Sequence, residues 1–216
     1  MQRKPTPSLS LDSIAAALAP FRVSLTQAQV ESIRAYISIL LVWNQSVNLT
    51  AIEDPVEIVT RHFGESLFAG SFLRFGPCRL ADVGTGAGFP GLPLKIAYPS
   101  IRLTLIESNA KKCAFLTEVV QRLGLQNVDI WRHRYDEGHR TGELFNFVCS
   151  RALGDYGQLL RWARGVMKPG GQVILWIGTD DSIRVGRIKE WSWDTPIAIP
   201  DSRRRIILVG RPRLYA

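Results

Sequence analysis

One stretch of the chain combines an acidic residue with closely spaced glycines, a combination that suits the binding of a nucleotide-like cofactor. It reads Asp82-Val83-Gly84-Thr85-Gly86-Ala87-Gly88-Phe89-Pro90-Gly91. Because glycine has no Cβ, such a loop can turn tightly and let its backbone approach a ligand closely. The unpaired N–H groups at the start of the following helix can face a polar or anionic group. The spacing therefore predicts a cofactor loop between a strand and a helix.

Two classes of cofactor fit this loop. Residues 86–91 satisfy the Gly-x-Gly-x-x-Gly spacing of dinucleotide-binding folds, which permits a nicotinamide or flavin cofactor. Counted from Gly84, the spacing is Gly-x-Gly-x-Gly after an acid, which resembles the S-adenosylmethionine loop of class I methyltransferases. The next apolar run ends in Glu107, whose carboxylate could accept the ribose hydroxyls of either cofactor. The loop and Glu107 alone leave both classes open.

The elements around the loop alternate between short apolar runs and helical stretches, which predicts a mostly parallel sheet with helices on both faces. The predicted strands cover residues 79–83, 101–107, 127–131, 145–150 and 172–177, and the predicted helices cover residues 90–97, 110–123 and 156–166. Two last runs, 191–199 and 204–209, have no helix between them. They are predicted to be antiparallel at the sheet edge, which completes a Rossmann-like α/β fold.

The first part of the chain predicts a helical amino-terminal cap. Ser10 and Thr26 are suited to cap two helices, and Asp54-Pro55 is a strong start for a third. The predicted domains are therefore a cap over residues 1–76 and a Rossmann-like domain over residues 77–216.

Composition limits the classes of protein that remain. The chain has 216 residues, 46% of them hydrophobic, and 27 basic against 19 acidic residues give a formal charge of +8. No apolar run approaches the roughly 20 residues of a membrane span, and no secretory signal is apparent. We therefore expect a cytoplasmic monomer without a membrane partner. Three widely spaced cysteines fit neither a disulfide framework nor a zinc site, so no metal is predicted.

Several short motifs occur in an order that resembles the RsmG (GidB) family of bacterial methyltransferases. They are Trp43-Asn44 with Asn48-Leu49-Thr50, Arg61-His62 with Ser66, the loop at 82–91, Lys111-Lys112 with Phe115-Leu116, and Ser150-Arg151-Ala152. The resemblance covers roughly residues 25–178. It implies a class I fold, S-adenosyl-L-methionine as cofactor, and methyl transfer to N7 of a guanine in 16S ribosomal RNA, either free or in the small ribosomal subunit.

The resemblance also implies a set of cofactor-binding residues at the loop and at three strand ends. They are Gly84 and Phe89 beside the methionine moiety, Thr85, Gly86 and Gly88 in the loop, Glu107 at the ribose, Tyr135 and Asp136 near the adenine, and Arg151 after the fourth strand.

The implied reaction needs no catalytic acid or base. Guanine N7 has an in-plane lone pair and no proton, so it can attack a sulfonium methyl group directly. The rate would come from alignment of the reacting atoms and exclusion of water. We therefore predict no catalytic residue, and we expect His62, His133 and His139 to be structural or surface groups.

Two positions depart from the family pattern. Glu65 stands where the family usually has Asp, and Ile177 precedes Gly178 where the family commonly has Lys. If that lysine contacts RNA, Arg184 or Arg187 could supply the charge instead. The run Arg203-Arg204-Arg205 is either a solvated rim or an RNA contact, with Arg203 and Arg205 predicted to face one way on a strand.

Two alternative functions fit parts of the sequence. The first is a non-catalytic ribosome-binding protein on the same fold, and the intact loop with Glu107 argues against it. The second is an NAD-dependent oxidoreductase, which would need a substrate domain with a proton donor. The chain after Gly178 is too short for such a domain.

Overall fold

A computed structural model describes residues 9–137, 142, 144–151 and 154–213, and within them eight strands form one sheet. The strands are β1 (Arg79–Val83), β2 (Arg102–Ile106), β3 (Val128–Trp131), β4 (Phe145–Arg151), β5 (Met167–Gly178), β6 (Trp191–Trp193), β7 (Ile197–Ala198) and β8 (Arg205–Pro212). Their order is β3-β2-β1-β4-β5-β8-β6, with β7 also paired to β8.

The first five strands are parallel, and the last ones form the antiparallel edge that the sequence predicts. Val83 of β1 lies opposite Ile106 of β2 and Ser150 of β4, so the carboxyl ends of these strands meet at one edge. Strand β8 runs antiparallel to β5 and to β6. In parallel sheets the loops at the carboxyl edge form the ligand site.

The helices follow the local signals of the sequence. They are α1 (Leu11–Leu18), α2 (Gln27–Asn44), α3 (Pro55–Ile58), α4 (Glu65–Leu67), α5 (Gly91–Ala97), α6 (Ala110–Arg122), α7 (Tyr156–Val166) and α8 (Thr179–Gly186), with a π-helical turn (Val59–Gly64) joining α3 to α4. Ser10, Thr26 and Asp54 cap α1, α2 and α3, as predicted, because each side chain accepts a hydrogen bond from a backbone N–H of the first turn. No helix in the described ranges is long and apolar enough to cross a membrane.

Two hydrophobic clusters cover the two faces of the sheet. Leu80 and Leu103 point into the cluster formed with the amino-terminal helices, which contribute Ile33 and Phe63. The alternate strand residues, such as Ala81, point into the second cluster with α7. The amino-terminal helices therefore share a core with the sheet, and the division at residue 76 stays a prediction.

Four details differ from the sequence-based expectation. The run predicted as one strand over residues 191–199 forms two short strands, β6 and β7, with Pro196 between them, and both pair with β8. Helix α8 was not predicted, because its eight residues bury only Val185. Strand β5 begins at Met167, five residues earlier than predicted, and its added part contains a register irregularity and Pro169. Strand β8 begins at Arg205, so the predicted strand alternation of Arg203 and Arg205 is wrong; Arg203 and Arg204 are exposed in the bend before the strand.

Candidate cofactor site

The glycine-rich loop follows β1 and turns back over the end of β2. The backbone N–H groups of Gly84 and Thr85 both donate to the carbonyl of Ile106, at 2.9 and 3.2 Å. Gly84, Gly86 and Gly88 have φ angles of 66°, 59° and 86°, a region that side-chain-bearing residues rarely adopt. The loop conformation therefore requires glycine at these three positions.

The side chain of Asp82 connects the start and the end of this loop. It is fully buried, and its Oδ2 accepts hydrogen bonds from Thr85 Oγ1 at 2.6 Å and from the Gly91 N–H at 2.8 Å. Burial raises the pKa of Asp82 to about 6, against the opposing effect of these two hydrogen bonds. The Thr85 hydroxyl thus shapes the loop through Asp82.

A cleft of about 270 Å³ opens beside the loop, at the carboxyl ends of β1 and β2. Its walls come from those strand ends, from the segment after β3 and from the start of α7. The lining residues are Gly84, Ile106, Glu107, Ser108, His133, Arg134, Tyr135, Asp155 and Gln158. The structure therefore brings Gly84, Glu107 and Tyr135 of the predicted set together in one cleft.

Glu107 is fixed in this cleft by two backbone hydrogen bonds. One carboxylate oxygen accepts from the Gly86 N–H at 3.1 Å, and the other accepts from the Asn109 N–H at 2.8 Å. Since a carboxylate oxygen can accept more than one hydrogen bond, both oxygens keep acceptor capacity. The geometry suits a ligand that presents two adjacent hydroxyl groups.

The segment after β3 is held against α7 by a polar chain. Arg134 donates two hydrogen bonds to Asp136, both at 3.0 Å, and the Gln158 side chain donates to Asp136 at 2.5 Å. The hydrogen bond from Arg134 lowers the pKa of Asp136. Asp136 therefore supports the wall of the cleft, and Tyr135 lies at its surface.

Phe89 and Gly88 of the predicted set face the amino-terminal helices rather than the cleft. The Phe89 ring stacks on Tyr36, with 5.6 Å between ring centroids, and on His62, with 4.7 Å. The Tyr36 hydroxyl donates to the Ala87 carbonyl, and a Cβ on Gly88 would clash with this hydroxyl. Tyr36 thus holds the loop from the cap side.

Arg151, the last predicted residue, lies in an ionic contact at the end of β4. It donates to the Arg61 carbonyl at 2.9 Å and pairs with Glu65 at 3.3 Å. It does not line the cleft. A direct contact of Arg151 or Phe89 with the cofactor stays a prediction. Ala152 and His139 lie outside the described residues.

Sequence reasoning missed several residues of the site. Ser108, Asp155 and Gln158 line the cleft, and Tyr36 fixes the loop. Asp155 could have been found, because it caps the predicted helix α7 by accepting from the Gln158 N–H at 2.9 Å. Tyr36 gave no comparable signal, since a buried aromatic residue on a helix is normally part of the core.

The buried position of His62 predicts a loss of stability in acid. Burial and the charges of Arg151, Arg205 and Arg61 lower the pKa of His62 to about 3. Between pH 6.5 and 3 the unfolded chain therefore binds a proton at this position that the folded chain does not. The free energy of unfolding should fall by up to about 1.4 kcal/mol for each pH unit below 6.5.

Denaturant unfolding of the wild type and His62→Gln at pH 7, 6 and 5 measures this effect. The difference between the free energies of unfolding of the two proteins should change with pH. An equal pH dependence of the wild type and His62→Gln would show that folded His62 is protonated normally.

Comparison with known proteins identifies one matching family. The model of the family described as GidB, rRNA small subunit methyltransferase G, matches residues 29–190, which include every residue of the cleft. A protein named ribosomal RNA small subunit methyltransferase G from Pseudomonas fluorescens is 42% identical over 142 residues. These are 66% of this chain and 65% of that protein, just under two thirds of its length.

Two further relatives carry the same name. The Roseiflexus castenholzii protein is 40% identical over 76% of this chain and 72% of its own length. The Stenotrophomonas maltophilia K279a protein is 34% identical over 88% of this chain and 91% of its own length.

Solved structures share the fold at low sequence identity. A SAM-dependent methyltransferase from Aquifex aeolicus has a TM-score of 0.59 and 15% identity, covering 73% of this chain and 93% of that one. TrmN from Thermus thermophilus has a TM-score of 0.58 and 16% identity, covering 72% of this chain and 53% of that one. These likenesses concern the fold alone, and they confirm the predicted class I methyltransferase fold.

Proposed function

Because this chain belongs to the rRNA small subunit methyltransferase G family, we propose that it methylates N7 of a guanine in 16S ribosomal RNA. S-adenosyl-L-methionine is the methyl donor. The observation that carries this proposal is the Glu107 carboxylate, held 3.1 Å from the Gly86 N–H of a glycine loop inside a cleft. RNA is the partner, and the formal charge of +8 favours its binding.

The cleft supplies groups for the polar parts of the cofactor. Glu107 can accept a hydrogen bond from each of the two ribose hydroxyls, since each of its oxygens can accept more than the one backbone hydrogen bond it already has. Ser108 and Tyr135 line the wall that would hold the adenine, and the backbone of Gly84 would lie beside the methionine moiety. When bound, S-adenosylmethionine supplies an electrophilic methyl group on a sulfonium ion.

The protein's own contribution to the reaction is alignment and the exclusion of water. Guanine N7 has no proton to lose, so the chain needs no general base at the acceptor. Alignment of the acceptor nitrogen with the methyl carbon and sulfur can supply several kcal/mol of the barrier reduction. The loop is suited to this task because hydrogen bonds hold it at both ends and in the middle. Asp82 accepts from Thr85 and Gly91, and the Tyr36 hydroxyl donates to the Ala87 carbonyl.

Mapping of methylated guanines in 16S ribosomal RNA tests the proposal. RNA from cells that lack the gene should lose N7 methylation at one guanine, and the wild-type gene should restore it, whereas a Glu107→Ala gene should restore it poorly. Unchanged methylation in the deletion strain, together with retained binding of the protein to small subunits, would instead support a non-catalytic ribosome-binding protein.

The absence of a general base predicts a flat pH dependence of the chemical step. Single-turnover rates at saturating cofactor and RNA should rise little between pH 6 and 9, because N7 attacks without losing a proton. A slope of one log unit per pH unit would reveal an essential deprotonation. So would loss of chemistry in His62→Ala with RNA and cofactor binding unchanged, and either result would contradict unaided attack by N7.

A further inference from the structure

Three arginines from different parts of the chain converge on one buried carboxylate. Glu65 of α4 is 2% exposed and lies 3.3 Å from Arg61, 3.3 Å from Arg151 and 2.7 Å from Arg205. Arg61 belongs to the turn before α4, Arg151 ends β4 and Arg205 begins β8. We call Arg61, Arg151 and Arg205 the arginine cluster.

The arginine cluster is in ion-pair contact with two carboxylates of the described residues. Apart from Glu65, the carboxylate in ion-pair contact within the described residues is Glu57, 3.6 Å from Arg61 and half exposed. Three guanidinium groups thus pair with two carboxylates, and the buried carboxylate of Asp82 also acts electrostatically on Arg151. His62 adds no charge at neutral pH, because its pKa is lowered to about 3. Burial lowers the pKa of Arg151 and of Arg205, and repulsion from the neighbouring arginines adds to this effect.

Part of the arginine cluster is accessible from solvent. The Arg61 and Arg205 side chains are 43% and 27% exposed, while Arg151 behind them is 15% exposed. The Arg151 Nη1 atom is buried and has no hydrogen-bond partner within the described residues. Glu65 pairs with all three guanidinium groups, although its Oε2 atom and Arg61 Nε have no hydrogen-bond partner within the described residues.

The position of the arginine cluster relates it to the methyl-transfer site. Arg61 is adjacent in the chain to His62, whose ring stacks on Phe89 of the glycine-rich loop at 4.7 Å. Arg151 follows Ser150, which lies opposite Val83 at the end of β1 and donates to its carbonyl at 2.8 Å. The cluster therefore lies at the same edge of the sheet as the loop, on its cap side.

We propose that Arg61 and Arg205, the two more exposed members of the arginine cluster, bind a backbone phosphate of the substrate RNA next to the target guanine. The solvent-exposed parts of Arg61 and Arg205 can donate to a phosphate, and the planar guanidinium fork matches its oxygens. Phosphate contacts of this kind position a nucleic acid without reading its sequence. The inference rests on the proposed function, which makes RNA the substrate, and it locates the strand relative to the loop.

RNA affinity measured against salt concentration tests this site. The test variant is Arg61→Gln, because Arg61 is the most exposed member and its loss leaves Glu65 paired to two arginines. The RNA is protein-free 16S ribosomal RNA or the small subunit from cells lacking the gene, whichever the wild type methylates. Affinity should fall roughly three- to tenfold, and the slope of log affinity against log salt should flatten by about 0.7–0.9.

Two variants control for general charge effects. Arg122→Gln removes another exposed helical arginine, paired with Glu118 at 3.5 Å as Arg61 is with Glu57, and it should keep the wild-type slope. Glu57→Gln removes a negative charge beside the cluster, so it should raise RNA affinity. Affinity for S-adenosylhomocysteine should stay at the wild-type value in all three variants.

The outcomes separate this inference from the proposed function. If the wild type methylates guanine N7 and Arg61→Gln keeps the wild-type slope, the phosphate site is wrong and the function stands. Equal changes in Arg61→Gln and Arg122→Gln would also overturn the site, because the effect would then be general. A third outcome is that Arg61→Gln flattens the slope of log affinity against log salt, while the wild type methylates no guanine N7. In that case the phosphate site stands and the proposed reaction fails.

Discussion

Replacement of Glu65 by alanine is expected to lower the free energy of unfolding by about 3–5 kcal/mol, the range for a buried ion pair that loses one partner. Glu65 is 2% exposed and is the shared partner of three arginines. Arg61 and Arg205 can turn towards water in the variant. Arg151 is 15% exposed and keeps a buried charge without a carboxylate in ion-pair contact, so most of the cost falls on it.

Urea unfolding of the wild type and Glu65→Ala at pH 7 measures this loss. Glu57→Ala is the matched control, because Glu57 pairs with Arg61 at 3.6 Å but is 49% exposed, and its loss should cost no more than about 1 kcal/mol. A loss below 1 kcal/mol in the free energy of unfolding of Glu65→Ala would mean that water reaches Arg151. It would also mean that the ion pairs of the arginine cluster do not stabilise the packing of the amino-terminal helices on the sheet.

The fold could be predicted from the sequence where local signals decide the structure. Strand β1 and helix α7 have the predicted bounds. A short apolar run is enough to indicate the strand, and a capped amphipathic segment is enough to indicate the helix. Helix α8 carries no such signal, since it buries only Val185. The start of β8 was misplaced for a related reason: three consecutive arginines do not show which of them lies within the ladder, and here only Arg205 does.

The candidate site could be predicted where it is built from contiguous sequence. The glycine loop and Glu107 meet because β1 and β2 are parallel neighbours, which the alternation of elements predicts. The contacts of Phe89 with Tyr36, and of Glu65 with Arg205, join residues far apart in the chain. Such contacts depend on how the cap helices pack on the sheet, and a single sequence contains no signal for that packing.

Replacement of Glu107 by alanine is expected to weaken binding of S-adenosylhomocysteine by about 1.5–3 kcal/mol, the range for hydrogen bonds to a charged group. This is roughly 10- to 150-fold in Kd. In the proposed function this carboxylate accepts hydrogen bonds from the ribose hydroxyls. It also accepts hydrogen bonds from the Gly86 N–H at 3.1 Å and the Asn109 N–H at 2.8 Å. Its loss removes both the ligand contact and this support of the loop.

Calorimetric titration gives the Kd, and thermal unfolding with and without ligand gives an independent measure. S-adenosylhomocysteine should raise the Tm of the wild type because it binds only the folded chain, and it should raise the Tm of Glu107→Ala much less. NADH should leave both unchanged. Asp129→Ala serves as the control, since Asp129 is an exposed carboxylate on β3 outside the cleft. Stabilisation by NADH but not by S-adenosylhomocysteine would reverse the choice between the two cofactor classes that the glycine loop permits.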